Sequence, residues 1–416
     1  MASPDPIAAE RAHYLSLLGR TADDPAVTLA ELRSMTGAGV DVRSAAEAKI
    51  TEQTVQDIVG AFGHNPKLRK WYGALANRYA SPAKVLVIGD SNSEGTGATT
   101  YARRWQSLLQ AQMRGRFQPP GVVGATIPYV TASPRCNPLP TGLGVTTSGS
   151  PGQASFGLGL RALTVAAGQS VTFTFTGDRC KLLASKGSSV GRYNIALDGG
   201  AGVVVDGWQS GSVTSGVVLW DSGALTRGSH TVVVTRDAGT TASPGNVYPE
   251  GLLTFDGDHD AGVRVLDAAR HAATLATFTA STAWQGAVTT VGGFGLCIMP
   301  WGANDSTSGT TAAAFASGLS TLIGQVRSAG FSGSFLLVEM PKRGNAAEQV
   351  WTDYRAQLEA IAAADADIAV FDLRRRMPDY GTTEATQQGL YYDEVHYRDK
   401  GQGWIADQIA TAIIPR

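Results

Sequence analysis

Cysteine is scarce in this 416-residue chain: Cys136, Cys180 and Cys297 stand far apart and are odd in number. That argues against a disulfide framework or a zinc site and predicts buried free thiols. Long apolar runs are missing as well. No segment approaches the ~18 residues that a bilayer-spanning helix needs, and the opening MASPDPIAAERAHYLSLLGR has no basic stretch leading into an apolar secretory core. A soluble protein without membrane insertion is expected, one that reaches a cell exterior, if it acts there, by a signal-independent route. Neither sign of charge dominates. Lys and Arg number 34 against 35 Asp and Glu, a net charge of −1, so nothing suggests a nucleic-acid or lipid-headgroup surface. No repeat of fixed period is present.

What is present is enough apolar residue, 43%, to bury large cores in two or three domains. Residues 1–80 carry apolar positions at helical spacing and no constellation for chemistry, which suits a docking or adaptor segment. The stretch 84–96, KVLVIGDSNSEGT, reads as a strand buried on both faces that ends in Gly89-Asp90-Ser91. A helix over 101–117 follows. From 119 to 261 the composition shifts to Gly, Ser, Thr, Val and Pro with alternating runs and Asp-Gly or Gly-Gly turns, the pattern of an all-β sandwich or jelly roll inserted into an α/β chain. Strand and helix alternation resumes at 262 and continues to the end. The organisation is therefore a helical segment over 1–80, an α/β domain over 81–118 and 262–416, and an inserted sandwich over 119–261. Five strands separated by helices predict a doubly wound parallel sheet.

Ser91 at the carboxyl end of the first strand stands where open α/β sheets present their ligands. A serine hydroxyl needs a base, and the base needs a partner. Of the histidines at 13, 64, 230, 259, 271 and 396, His396 closes a tight Asp393-Glu394-Val395-His396 loop. An oxyanion needs donors. Gly302-Ala303-Asn304-Asp305, at the end of another strand, puts a carboxamide on the same rim. Each motif alone is weak; three of them at strand ends or in the last loop are not.

With these blocks in place the chain resembles the SGNH, or GDSL, family of serine esterases. The family's first block matches Gly89-Asp90-Ser91, its Gly-x-Asn-Asp block matches 302–305, and its Asp-x-x-His block matches 393–396. Its glycine-donor block falls on 265–274, VLDAARHAAT, where Ala272 replaces the expected glycine. The resemblance implies a flavodoxin-like three-layer fold, no cofactor and no metal. It makes Ser91 the nucleophile, His396 the base and Asp393 its orienting partner, with the oxyanion held by Asn304 and the N–H groups of Ser91 and Ala272. If the Ala272 position needs a positive φ, its Cβ is costly. That substitution is the best support for the alternative, a glycan-binding tail or cell-wall module with a degenerate site.

The insert is similar to the modules that accompany polysaccharide and peptidoglycan O-acetylesterases, which points to a cell-envelope glycan as substrate, and the lack of a long apolar lid segment favours short acyl esters. Tyr193, Trp208, Trp220 and Tyr248 are either sandwich core or candidates for stacking on sugar rings, and Trp301, Tyr391 and Tyr392 are candidates for lining the substrate pocket. The segment leading through 65–91 into the esterase resembles SGNH-type minor tail proteins of phages infecting actinobacteria, which implies a virion location with residues 1–80 contacting other tail proteins.

Overall fold

The computed structural model describes residues 65–239, 245–344 and 346–415, and the helices expected over 1–64 lie outside them. Five parallel strands form the centre: β1 (Ala83–Val87), β2 (Val263–Asp267), β3 (Phe294–Trp301), β4 (Ser334–Glu339) and β5 (Ile368–Asp372). Their order is β2-β1-β3-β4-β5. The winding reverses direction beside β1, and open sheets bind ligands at the strand ends next to such a reversal.

Helices α1 (Arg69–Ala76), α2 (Trp105–Phe117), α3 (Ala312–Ser328), α4 (Glu348–Ala363) and α5 (Asp399–Ile413) cover the two faces. The two-residue period of a strand decides which residue meets which helix. Val85, Val87, Val265, Ile298 and Leu336 pack with α1, α2 and α5. Leu86, Ile88, Leu266, Met299 and Leu337 pack with α3 and α4. In α3 the apolar positions Phe315, Leu319, Leu322, Ile323 and Val326 form one stripe, and the Thr311 hydroxyl caps its start by accepting from the Ala314 N–H. The stretch assigned to an N-terminal segment through residue 80 includes α1, which belongs to the sheet: Trp71 is fully buried and its Nε1 donates to the Ile413 carbonyl at 2.8 Å.

The insertion folds as two antiparallel sheets. One orders Thr214–Asp221, Arg179–Lys186, Pro249–Phe255 and Tyr129–Thr131; the other orders Val145–Ser148, Ser170–Gly177, Gly228–Arg236, Arg192–Leu197 and Val203–Asp206. Val171, Phe173 and Phe175 of the second meet Cys180, Leu182 and Ala184 of the first to make the sandwich core. The outer face of the four-stranded sheet is buried too. Leu183, Leu253, Phe255 and Tyr129 join Leu266, Trp284 and Ala287 in the core of the α/β layer, which is why all of Pro249–Phe255 is buried. Residues 67–414 are accordingly one compact unit. The cysteines are free and buried, and among the described residues no helix is long and apolar enough to cross a membrane.

Because sandwich and host share a core, they should unfold together. Leu253→Ala is expected to cost about 2–5 kcal/mol and to shift a single denaturation transition followed by both tryptophan fluorescence and far-UV circular dichroism. A separate early transition for the sandwich would contradict the shared core.

Candidate active site

Ser91 opens a short helix, Ser91–Glu94, at the end of β1 and is 2% exposed. Asp90 caps it by accepting from the Asn92 N–H at 2.9 Å. Gly89 is needed for space rather than for a turn: a Cβ there would lie 2.6 Å from Ser93 Oγ and 3.1 Å from Pro300. Burial pushes the Asp90 carboxyl up to about 7, against the Asn92 hydrogen bond and with help from the nearby Asp305 charge. Burial likewise raises Asp305 to about 6.

The loop before α5 folds back on itself, with the Tyr392 N–H donating to the His396 carbonyl at 2.8 Å. This brings His396 Nε2 to 2.9 Å from Ser91 Oγ. His396 Nδ1 lies 2.8 Å from Asp393 Oδ2 and 3.0 Å from Oδ1. Asp393 Oδ1 also accepts the N–H groups of Val395 and His396, each at 2.8 Å. Burial opposes the Asp393 charge, but these hydrogen bonds, led by the His396 ring, hold its carboxyl below the ordinary value. A carboxylate only accepts, so Nδ1 carries the proton and Nε2 is left to accept from the serine.

The chain leaving β2 extends the ladder along β1 and past its end, with the Ala268 N–H donating to the Val87 carbonyl at 2.8 Å and the Arg270 N–H to the Gly89 carbonyl at 2.9 Å. It then turns at Ala272, which is exposed and has φ +58°. The position does require a left-handed backbone, and alanine adopts it at a cost of about 1 kcal/mol. Asn304 Nδ2 donates to the next carbonyl, that of Ala273, at 2.9 Å, and Asp305 Oδ1 accepts the Leu275 N–H at 3.0 Å. The strand-end Asn-Asp pair therefore clamps the far side of the Ala272 turn.

A buried ion cluster supports both pieces. Arg161, contributed by the insertion and fully buried, lies 3.0 Å from Glu94 of the Ser91 helix and 3.1 Å from Asp267 at the end of β2. Arg104 reaches Asp267 at 2.6 Å, and the Tyr101 hydroxyl donates to it at 2.9 Å. Glu94 in turn accepts the N–H of Arg135, at 2.7 Å, and that of His271, one residue before the turn. Burial alone would raise the Asp267 carboxyl; the Arg161 and Arg104 guanidiniums outweigh it and hold the value at about 2. Glu94 and Arg161 escaped sequence reasoning, since an isolated arginine in a Gly/Ser/Thr-rich stretch carries no local sign that it will be buried.

Two aromatic expectations change. Trp301 is 4% exposed and sits in the core with its ring edge-on to Phe278 at 5.6 Å, so it does not line a pocket. Its neighbours in the motif mark a strand end, but the ring itself points into the layer below. Tyr193 is fully buried, its hydroxyl donating to the Ser185 carbonyl at 2.6 Å, and is sandwich core rather than a sugar platform. Trp220 and Tyr248 pack half-buried against that core, while Trp208 is exposed. Tyr391 is half-buried, and Tyr392, 44% exposed, joins it with Tyr380 and Arg398 around an open cavity of about 350 Å³ beside the His396 loop.

No family profile matches this sequence, and no curated protein matches it. Solved structures do. A peptidoglycan O-acetylesterase captured in action aligns over 83% of this chain and 94% of its own, with a TM-score of 0.60 at 16% identity. A family 3 carbohydrate esterase of Clostridium thermocellum aligns over 80% and 96% at 11% identity, with a TM-score of 0.37. The first of these shows the fold: a parallel five-stranded sheet with antiparallel sheets inserted.

Replacing Arg161 by Met leaves Glu94 and Asp267 buried without their shared cation, and about 3–5 kcal/mol of stability should be lost in urea denaturation; a change under 1 kcal/mol would mean the cluster is not what joins insertion to site. The depressed Asp267 carboxyl contributes stability that is complete above the ordinary carboxylate range and disappears as pH falls through about 2. The stability gap between wild type and Asp267→Asn, read by calorimetry, should therefore narrow from pH 5 to pH 2, and a gap independent of pH would remove this linkage.

Proposed function

We propose that the protein is a serine esterase that removes short acyl groups, acetyl foremost, from cell-envelope polysaccharide. The observation that carries the reading is the unbroken chain from Ser91 Oγ through His396 to Asp393, at 2.9 and 2.8 Å, on the carboxyl rim of the sheet. Ser91 Oγ attacks the acyl carbonyl carbon while its proton passes to His396 Nε2, and Asp393 holds the ring and offsets the imidazolium charge. The oxyanion takes hydrogen bonds from the N–H groups of Ser91 and Ala272 and from Asn304 Nδ2. His396 then gives its proton to the departing alcohol, and water, activated by the same ring, releases the acid and restores Ser91. Support for the role of Ala272 comes from its backbone: the N–H donates to no described acceptor, and the left-handed turn holds it at an exposed corner beside Asn304.

The choice of an acylated glycan is supported by the fold shared with a peptidoglycan O-acetylesterase and by the tyrosine-lined cavity beside the His396 loop. A place on a phage tail, with residues 1–80 contacting other tail proteins, is supported by the sequence resemblance, and mass spectrometry of purified particles tests it.

On p-nitrophenyl acetate the wild type should turn over and Ser91→Ala should fall to background; equal background rates in both would overturn the esterase reading. Asn304→Ala should lower kcat by roughly 10²–10³ with little change in KM, and steady-state kinetics showing a change confined to KM would move Asn304 to substrate binding.

A further inference from the structure

A second imidazole stands beside the first. The rings of His271 and His396 are nearly parallel, 16° apart, with centroids separated by 6.3 Å. His271 is fixed at both ends. Its backbone N–H donates to the buried Glu94 carboxylate, and its Nδ1 is 3.2 Å from the hydroxyl of Thr96, a residue with no exposed surface. Those two contacts set the direction of Nε2, which has no partner among the described residues and is not sealed from solvent. Burial, opposed by the Glu94 charge and reinforced by the neighbouring His396, holds the ring below the ordinary histidine value, so it stays neutral beside a base that must take up a proton. A neutral imidazole with one nitrogen committed to Thr96 offers one hydrogen-bonding position to a ligand.

The position of that nitrogen selects what it reads. In the esterase reading, on which this inference rests, His396 Nε2 delivers its proton to the leaving oxygen, so the alcohol portion of the ester lies against the His396 ring while the carbonyl oxygen turns toward Ala272 and Asn304. A group one ring away from His396 meets the carbon next to the ester-bearing carbon. We propose that His271 is a specificity-determining residue that hydrogen-bonds, through Nε2, to a hydroxyl vicinal to the ester, so that the site prefers esters of polyols and sugars over esters of simple alcohols. The two pins supply the preorganisation that such a contact needs to discriminate. Nothing in the transfer of the acyl group passes through His271, and its loss should leave the chemistry of a hydroxyl-free ester intact.

Glycerol 1-acetate and propyl acetate share the acyl group and the carbon skeleton and differ in the hydroxyls, which makes them the matched probes; p-nitrophenyl acetate reports whether each variant is competent. Wild type should favour glycerol 1-acetate in kcat/KM. His271→Ala should lose about tenfold on that ester and stay within twofold on propyl acetate and p-nitrophenyl acetate, and His271→Gln, which retains an amide near the Nε2 position, should recover part of the preference. Equal losses on all three esters would make His271 a structural residue and overturn the proposal, as would an unchanged preference in His271→Ala. Failure of the wild type on every ester would instead overturn the esterase reading itself.

Discussion

The Arg161 guanidinium, held without solvent between Glu94 and Asp267, is the contact on which the arrangement of the site depends. Glu94 belongs to the helix that presents Ser91, and Asp267 ends the strand from which the Ala272 turn departs. A buried charge of either sign is costly alone, so each member is tolerated only while the others are in place. The cluster therefore locks three separate pieces of chain, one of them from the insertion, into a single geometry. It accounts for an insertion welded to its host: the sandwich contributes the cation that bridges Glu94 and Asp267, and the shared apolar face around Leu253 and Leu266 keeps it there.

The His396 loop is held differently. Asp393 binds three N–H groups, two of them backbone, so the carboxylate organises the loop as well as the ring. One side of the site is rigid through buried charge and the other through a tight local turn, and Ser91 lies where they meet. Asn304 and Asp305 bind the Ala273–Leu275 stretch, which makes the turn at Ala272 a clamped element rather than a free loop. A left-handed alanine, strained by about 1 kcal/mol, is sustainable in that setting.

Much of this was legible in the sequence. The parallel sheet, its helices and the three short blocks at its rim could be read because apolar periodicity and strand-end motifs are local signals. The sandwich announced itself through alternation and turn residues, but its second buried face did not. A strand buried on both sides in an antiparallel sheet looks like any other apolar run, and only the partner explains it. Trp301 was misplaced because adjacency to a motif in sequence says nothing about which side of the strand a ring takes. Tyr193, whose ring suits either core or a sugar platform, is core because its face of the strand turns inward. Glu94, Arg161 and His271 could not be found at all, since what distinguishes them is a partner that sits far away in the chain. The glycine at 89 is a matter of space that only the fold reveals: it needs no special backbone, but the close approach of Ser93 leaves no room for a side chain.

The central claim is that Ser91 is a nucleophile activated by His396. Treatment with a small alkyl fluorophosphonate, followed by intact-mass and peptide mass spectrometry, tests it most directly, because the reagent phosphonylates an activated serine and ignores ordinary ones. The account predicts one adduct per chain, located at Ser91 and lost in His396→Ala. An unlabelled protein, or an adduct at any other residue, would contradict it.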